Sequence, residues 1–189
     1  VDGITHRTPD PFICIATQNP LSSAGTQKLP DSQLDRFMVR LSMGYPDLES
    51  QVDIIRQRQG RNPVDTMRPL AGASHIRTMK QVAEHVKIKD EVIMYAAKLC
   101  EATRSAEAVE QGASPRAVLA LVQMAKASAL MDGRDHVIPQ DISSVFIDVC
   151  AHRLVLTARA RIRKETEADV LKKILSDVKP PAVAEGKAE

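Results

Sequence analysis

The spacing of hydrophobic residues changes once along the chain. Residues 12–16 form an unbroken apolar run, which predicts a strand buried on both faces of a sheet. Residues 37–43 alternate between an apolar and a mixed face, and this period of two predicts a second strand at a sheet edge. From about residue 47 to about residue 178 the apolar residues recur at intervals of three and four, which predicts helices. The pattern therefore indicates a short α/β portion followed by a larger helical one.

The clearest helix start lies at Ser114 and Pro115. Serine is a favoured N-cap residue, and proline suits the first helical position because its missing N–H is not needed there. The helix that follows is broadly apolar until Gly133, so we expect it to lie at the centre of a helical bundle. A short apolar run at residues 154–156 fits either a strand or a loop, and the sequence leaves that choice open.

Arg116 lies in the first turn of this predicted helix, among backbone N–H groups that have no helical partner. A positive charge there opposes the helix dipole by roughly 0.3–1 kcal/mol. The same concentration of charge and donors suits an anion, so Arg116 is a candidate anion-binding residue. The alternative is an exposed arginine that neutralises nearby acids.

Polar residues at 17–19 follow the first predicted strand, and Pro20 ends it. Ligands of open α/β sheets bind at the carboxyl ends of the strands, so Asn19 is a candidate to contact a phosphate or orient a water molecule. A polar strand end that simply turns into a loop is the alternative. Residues 29–37 predict a short helix that ends at Arg36, directly before the second strand.

Four motifs, ATQNP, LPDSQLDRF, GYPD and GASPRA, resemble those of the MoxR family of AAA+ ATPases. The resemblance extends from about residue 1 to about residue 156, although LDRF by itself is shared with the ATPase subunits of magnesium chelatase. It implies that Asn19 corresponds to sensor 1, Arg36 to the arginine finger and Arg116 to sensor 2. Arg40 stays open as an alternative position of the finger.

The resemblance implies a mainly α fold class, in which a remnant of an α/β AAA+ P-loop core precedes an all-helical AAA+ lid domain. The expected parts are the C-terminal part of the AAA+ core at 1–60, a linker at 61–73, the helical lid at 74–158, a C-terminal helix at 159–178 and a disordered tail at 179–189. The sequence has neither a G-x-x-x-x-G-K-[ST] phosphate loop nor an apolar strand that ends in paired carboxylates for Mg²⁺. We therefore expect the C-terminal portion of a longer ATPase, which alone neither binds ATP tightly nor hydrolyses it.

The resemblance also implies a function. MoxR-like proteins use ATP and Mg²⁺ in a homo-oligomeric ring, expected to be a hexamer, and act in the chaperone-like assembly or maturation of other proteins. Partners with a von Willebrand factor A domain are expected, whereas the sequence does not show the client. Two alternatives stay open: a non-catalytic helical protein-interaction module, and a subunit of magnesium-chelatase type.

Composition limits the remaining possibilities. A net charge of +2 and an aromatic content of 3% without tryptophan argue against a nucleic-acid partner. Cys14, Cys100 and Cys150 are far apart in apolar surroundings, so we expect buried free thiols in a reducing compartment. None of the five histidines has metal-ligand spacing, and we expect no metal ligands in this chain. Without an apolar run long enough to span a membrane or a signal-peptide pattern, the expected location is the cytoplasm.

Overall fold

The computed structural model describes residues 2–18, 29–60 and 62–182. Across these ranges the chain is mostly helical, as predicted, and carries one small two-stranded sheet. The α-helices are α1 Asp31–Leu34, α2 Leu48–Gln57, α3 Ala73–His85, α4 Asp90–Ser105, α5 Pro115–Met131, α6 Pro139–Cys150, α7 Ala158–Ile162 and α8 Glu167–Asp177. Two short 3₁₀ helices span Pro63–Thr66 and Ala151–Arg153, and the strands are β1 Val109–Gln111 and β2 Val155–Leu156.

The chain divides into two compact units. The first comprises Val1–Cys14 and Leu41–Met79, and the second comprises Ile15–Arg40 and Lys80–Glu189. In the first unit α2 begins at Asp47, whose carboxylate accepts a hydrogen bond of 2.8 Å from the amide of Ser50. None of the described residues of α2 is buried, so this helix contributes no buried side chain to a core in the described part of the chain.

The hydrophobic core of the second unit lies around α5. This helix packs against α4 and α6, and its buried positions are mostly alanines, which allow neighbouring helices to approach closely. The larger fully buried side chains come from all three helices and include Leu99, Leu121, Ile142 and Phe146. The prediction that α5 is central to the bundle is therefore confirmed.

The small sheet resolves the choice that residues 154–156 left open. Val109 pairs with Leu156 and Gln111 with Val155, in an antiparallel register with one irregularity between them. Residues 155–156 are therefore a strand, whereas the partner strand at 109–111 was not predicted. Because β1 leads into α5 and β2 follows the 3₁₀ helix Ala151–Arg153, the pairing brings the start of α5 close to that helix.

Close packing against the end of α4 fixes the start of α5. A Cβ atom at Gly112 would lie 2.7 Å from the backbone nitrogen of Arg104 and 2.8 Å from the carbonyl carbon of Thr103. The next amide, at Ala113, donates to the hydroxyl of Thr103 at 2.8 Å, and the carbonyl of Ala113 accepts from Nε of Arg104 at 2.8 Å. Only glycine fits this approach of two backbones.

The two strands predicted in the first part of the chain are not formed. Residues 12–16 and 37–43 pair with no strand among the described residues, so both predictions are wrong. A strand needs neighbouring strands to satisfy its backbone groups, and isolated pairs are marginal even when present. The side chains of Phe12 and Ile15 are accordingly exposed. Cys14, predicted to be buried, is exposed as well, whereas Cys100 and Cys150 are buried free thiols as expected.

None of the helices in the described ranges combines the length and the apolarity that a membrane span requires.

Candidate functional site

The structure places two of the three candidate site residues. Arg36 and Arg116 both belong to the second unit, while Asn19 lies outside the described residues. Arg36 follows α1, the short helix that was predicted at this point, and its backbone amide donates to the carbonyl of Gln33 at 3.1 Å. The side chain of Arg36 is exposed and has no ion pair or hydrogen bond with the residues that the structure describes.

Arg40, the alternative finger position, is engaged elsewhere in the second unit. Its amide donates to the carbonyl of Asp148 in α6 at 2.9 Å. Its guanidinium lies 3.8 Å from the carboxylate of Glu167 at the start of α8. Arg36 and Arg40 thus differ in that only Arg40 has a side-chain partner in the described part of the chain.

Asp35, the residue before Arg36, contacts the start of α5. Nη1 of Arg116 donates to Oδ2 of Asp35 at 2.9 Å. The hydroxyl of Ser114 donates to the same carboxylate, at 3.1 Å to Oδ1 and 3.4 Å to Oδ2. Ser114 is the N-cap residue of α5, as predicted, but its side chain makes no capping bond with the helix. The motif that carries Arg36 and the motif that carries Arg116 are therefore joined through one carboxylate.

Arg153, at the end of the 3₁₀ helix Ala151–Arg153, also binds this segment. Its Nη2 donates to the carbonyl of Phe37 at 2.7 Å and to the carbonyl of Asp35 at 3.3 Å. Its Nε lies 3.4 Å from Oδ1 of Asp35. The side chain of Arg153 is only 2% exposed, so a whole guanidinium is buried against the segment that carries Arg36.

His152 contacts the same carbonyl group. Its Nε2 lies 2.9 Å from the carbonyl oxygen of Phe37, and because a carbonyl can only accept, Nε2 carries the proton. Nδ1 is buried and has no hydrogen-bond partner in the described part of the chain. A second proton on His152 would therefore have no acceptor.

Burial governs the titration of both residues. It lowers the pKa of His152 below its ordinary value of 6.5, although the hydrogen bond with Phe37 acts in the opposite direction. Burial also lowers the pKa of Arg153, against the raising effect of the Asp35 carboxylate. His152 is therefore held neutral near pH 7, and the charges at this site are those of Asp35, Arg116 and Arg153.

A cavity of about 370 Å³ opens beside these residues. Its lining includes Asp35, Ser114, Arg116, His152 and Arg153, together with backbone near the end of β1. The guanidinium of Arg153 is buried, so Arg116 and the hydroxyl of Ser114 are the donors of this set that can bind an anionic group in addition to the Asp35 carboxylate.

Sequence reasoning named Arg36 and Arg116 as candidates and did not find the residues that connect their segments. Asp35 belongs to the LDRF motif, in which only the next residue, Arg36, was predicted to have a functional role. His152 and Arg153 interrupt the apolar stretch between α6 and β2, and a charged residue in such a stretch is a signal for a buried polar contact. No group of three or more His, Cys, Asp or Glu side chains that could hold a metal ion occurs in the described ranges.

Comparisons with known proteins match both parts of the chain. Residues 1–39 match the family described as ATPase family associated with various cellular activities (AAA), and residues 101–174 match the AAA lid domain. The protein YeaC of Bacillus subtilis is 34% identical over 181 residues, which is 96% of this chain and 57% of YeaC. Chaperone MoxR1 of Mycobacterium tuberculosis is 35% identical over 192 residues, covering 97% of this chain and 50% of MoxR1.

A solved structure is also similar. A protein of Cytophaga hutchinsonii, described as a candidate ATPase, superimposes with a TM-score of 0.87 at 30% identity. The match covers 96% of this chain and 58% of that protein. The chain thus spans between 50% and 57% of the length of the two curated relatives above.

Proposed function

The chain belongs to the MoxR family of AAA+ ATPases, and we propose that it supplies the phosphate-sensing residues and the arginine finger of an ATPase that works as a ring. One observation carries the proposal. Arg36 is exposed and has no side-chain partner in the described part of the chain, while Asp35 before it and Phe37 after it are both bound by the buried guanidinium of Arg153. A residue that reaches into another subunit requires a free cationic side chain on a backbone that is held in place.

The chemistry of phosphoryl transfer explains why such a cation matters. Charge spreads over the equatorial oxygens of the transferred phosphoryl group in the transition state, so catalysis rests on positioning and electrostatic stabilisation. An arginine finger is worth on the order of 10³–10⁵ in kcat. In the proposed ring Arg36 contacts the nucleotide of the neighbouring subunit.

Arg116 is proposed as the sensor 2 residue, which contacts the terminal phosphate. Its side chain is 57% exposed, so its ion pair with Asp35 belongs to the weak class of about 0.2–1 kcal/mol. Breaking this exposed pair therefore costs little when Arg116 turns to a phosphate. Asp35 keeps Ser114 and Arg153 as partners after Arg116 leaves.

Asn19 is proposed as the sensor 1 residue, which orients the attacking water.

The donors at Ser114 and Arg116 fit the phosphate end of ATP, whereas the sequence contains neither a phosphate loop nor the acidic Mg²⁺ motif. We propose that ATP and Mg²⁺ are held by other parts of the complete protein. When bound there, Mg²⁺ neutralises charge that develops on the phosphates.

The biological setting is proposed by analogy with the relatives. MoxR1 is named a chaperone, and by analogy we propose chaperone-like assembly or maturation of partner proteins in the cytoplasm, by a homo-oligomeric ring that is a hexamer. A partner with a von Willebrand factor A domain is part of the same proposal.

The test of the proposed function is ATPase kinetics of the complete protein. We expect Arg36→Ala to lower kcat by about 10³ or more with a small change in KM, because the finger acts on transition-state charge. Arg58→Ala is the matched control, since Arg58 is an exposed arginine outside these motifs. Equal kcat values for wild type and Arg36→Ala would contradict the proposal.

A further inference from the structure

Arg153 contacts the backbone on both sides of Arg36. Its Nη2 donates to the carbonyl of Asp35 at 3.3 Å and to the carbonyl of Phe37 at 2.7 Å, and these are the residues directly before and after Arg36. Nε of the same guanidinium lies 3.4 Å from the Asp35 carboxylate. His152 adds a second donor to the carbonyl of Phe37 at 2.9 Å.

From this geometry we propose that Arg153 is a positioning residue, which fixes the backbone at Arg36 and so aligns the arginine finger. The inference rests on the proposed function, because it assigns Arg153 a role only through Arg36. Arg153 itself is buried and cannot reach a nucleotide in another subunit.

The burial of Arg153 supports a dedicated role. Moving a guanidinium out of water is costly, and the cost is recovered only when its donors are well paired. Yet Nη1 and Nε of Arg153 have no hydrogen-bond partner among the residues that the structure describes. All hydrogen bonds that its side chain makes there go to the carbonyls of Asp35 and Phe37. Burying Arg153 thus costs some stability, and its hydrogen bonds converge on the backbone on either side of Arg36.

The segment is anchored beyond Arg36 as well. The amide of Arg40 donates to the carbonyl of Asp148 in α6 at 2.9 Å, and the side chain of Val39 packs against the core. Before Arg36, α1 leads into Asp35, whose carboxylate is held by Ser114 and Arg116. With the backbone held on both sides, the freedom that remains belongs mainly to the exposed side chain of Arg36.

Arg153→Met is the informative variant. Methionine is of similar length, and it removes the two buried nitrogens of Arg153, Nε and Nη1, that have no hydrogen-bond partner in the described part of the chain; their removal offsets part of the cost of the contacts that are lost. Asp35 keeps Ser114 and Arg116, and the carbonyl of Phe37 keeps His152. A displacement of a catalytic group by about 1 Å can cost about 10²-fold in rate. We therefore expect kcat of the complete protein to fall by about 10²-fold with KM for ATP within about threefold of wild type.

Arg159→Met is the matched control. Arg159 is an exposed arginine of α7 that pairs with Glu107 at 3.0 Å, away from the finger segment. We expect its kcat to stay within about twofold of wild type, because exposed ion pairs contribute little. Arg153→Lys keeps a buried cation but not the planar fork, so its kcat should lie between those of Arg153→Met and wild type.

Mixed rings separate a positioning role from a general folding defect. Subunits with Arg153→Met have an intact site of their own but donate a misaligned finger, whereas subunits with Asn19→Ala donate a normal finger. In a ring built from head-to-tail interfaces, random mixing in equal amounts gives about a quarter of all sites the productive arrangement, in which the intact site of an Arg153→Met subunit lies beside the normal finger of an Asn19→Ala subunit. We expect the mixture to recover activity toward that fraction of wild type.

Three outcomes would overturn the inference. If Arg36→Ala loses activity while Arg153→Met retains kcat within about threefold, or if mixed rings give only the sum of the two parent activities, Arg153 does not position the finger. If neither Arg36→Ala nor Arg153→Met changes kcat, the proposed function itself fails and the inference fails with it.

Discussion

At the scale of single residues, the site is organised by Asp35 rather than by the arginines around it. Its carboxylate accepts from Ser114 and Arg116, and it lies 3.4 Å from Nε of Arg153. One acid thus contacts two cations and connects the start of α5 with the segment of Arg36. Because several donors bind this carboxylate, it forms a junction between the two segments. Arg36, the next residue in the chain, is the cation that has no partner among these residues.

His152 gives the junction a pH dependence. Burial lowers its pKa in the folded protein below the ordinary value of 6.5, so below about pH 6.5 the unfolded state binds a proton more readily than the folded state. The free energy of unfolding should therefore decrease as the pH falls below about 6.5 and should be insensitive to this residue above that pH. His152→Gln keeps a donor for the carbonyl of Phe37 but does not titrate, so it should reduce the decrease.

Denaturant unfolding of the chain at a series of pH values measures this effect. His136→Gln is the control, since His136 is exposed and pairs with Asp135 at 2.9 Å. Parallel pH profiles for wild type and His152→Gln between pH 5 and 7 would show that His152 is not held neutral by burial.

At the scale of secondary-structure elements, sequence patterns predicted the helices well and the strands poorly. The long periodic segment of α5 and its start at Ser114 and Pro115 were predicted because helical hydrogen bonds form within one segment. A strand depends on a partner elsewhere, so the apolar run at 12–16 was interpreted as a strand although no partner lies beside it in the described residues. The short strand at 109–111 was missed for the same reason.

The candidate site shows the same division. Arg36 and Arg116 were predicted as site residues because each lies in a motif with a recognisable local setting at a helix end, and their roles stay predictions. The contacts of Arg153 were not predictable from spacing, since they join the segment after α1 with the residues between α6 and β2. Such long-range polar contacts leave only an indirect trace in the sequence, a charged residue within an apolar stretch.

Gly112 tests the packing that places the start of α5. In Gly112→Ala the new Cβ would lie 2.7 Å from the backbone nitrogen of Arg104, and neither backbone can move freely there. We expect a loss of about 1–3 kcal/mol in the free energy of unfolding, typical of overpacking. Gly72→Ala is the control, because the nearest atom to a Cβ there is Nδ1 of His75 at 3.9 Å. Urea unfolding followed by circular dichroism would contradict the account if both variants had the same midpoint.

At the scale of the whole molecule, the predicted fold class is confirmed. The structure is mainly helical, and its matches to an AAA family, to the AAA lid domain and to a solved relative agree with a remnant of an AAA+ core and a helical lid. What the sequence could not provide is the junction between the two motifs. In the structure Arg36 and Arg116 both belong to the second unit, so a movement of that unit would move both residues at once.

The central claim is that the backbone at Arg36 is held in place while its side chain contacts a nucleotide in the neighbouring subunit. The most direct measurement is a cryo-electron microscopy structure of the assembled complete protein with a non-hydrolysable ATP analogue and Mg²⁺. The account predicts the Arg36 guanidinium within hydrogen-bond distance of the terminal phosphate held by the adjacent subunit, with Arg153 still on the carbonyls of Asp35 and Phe37. An Arg36 side chain that points away from every subunit interface would contradict it.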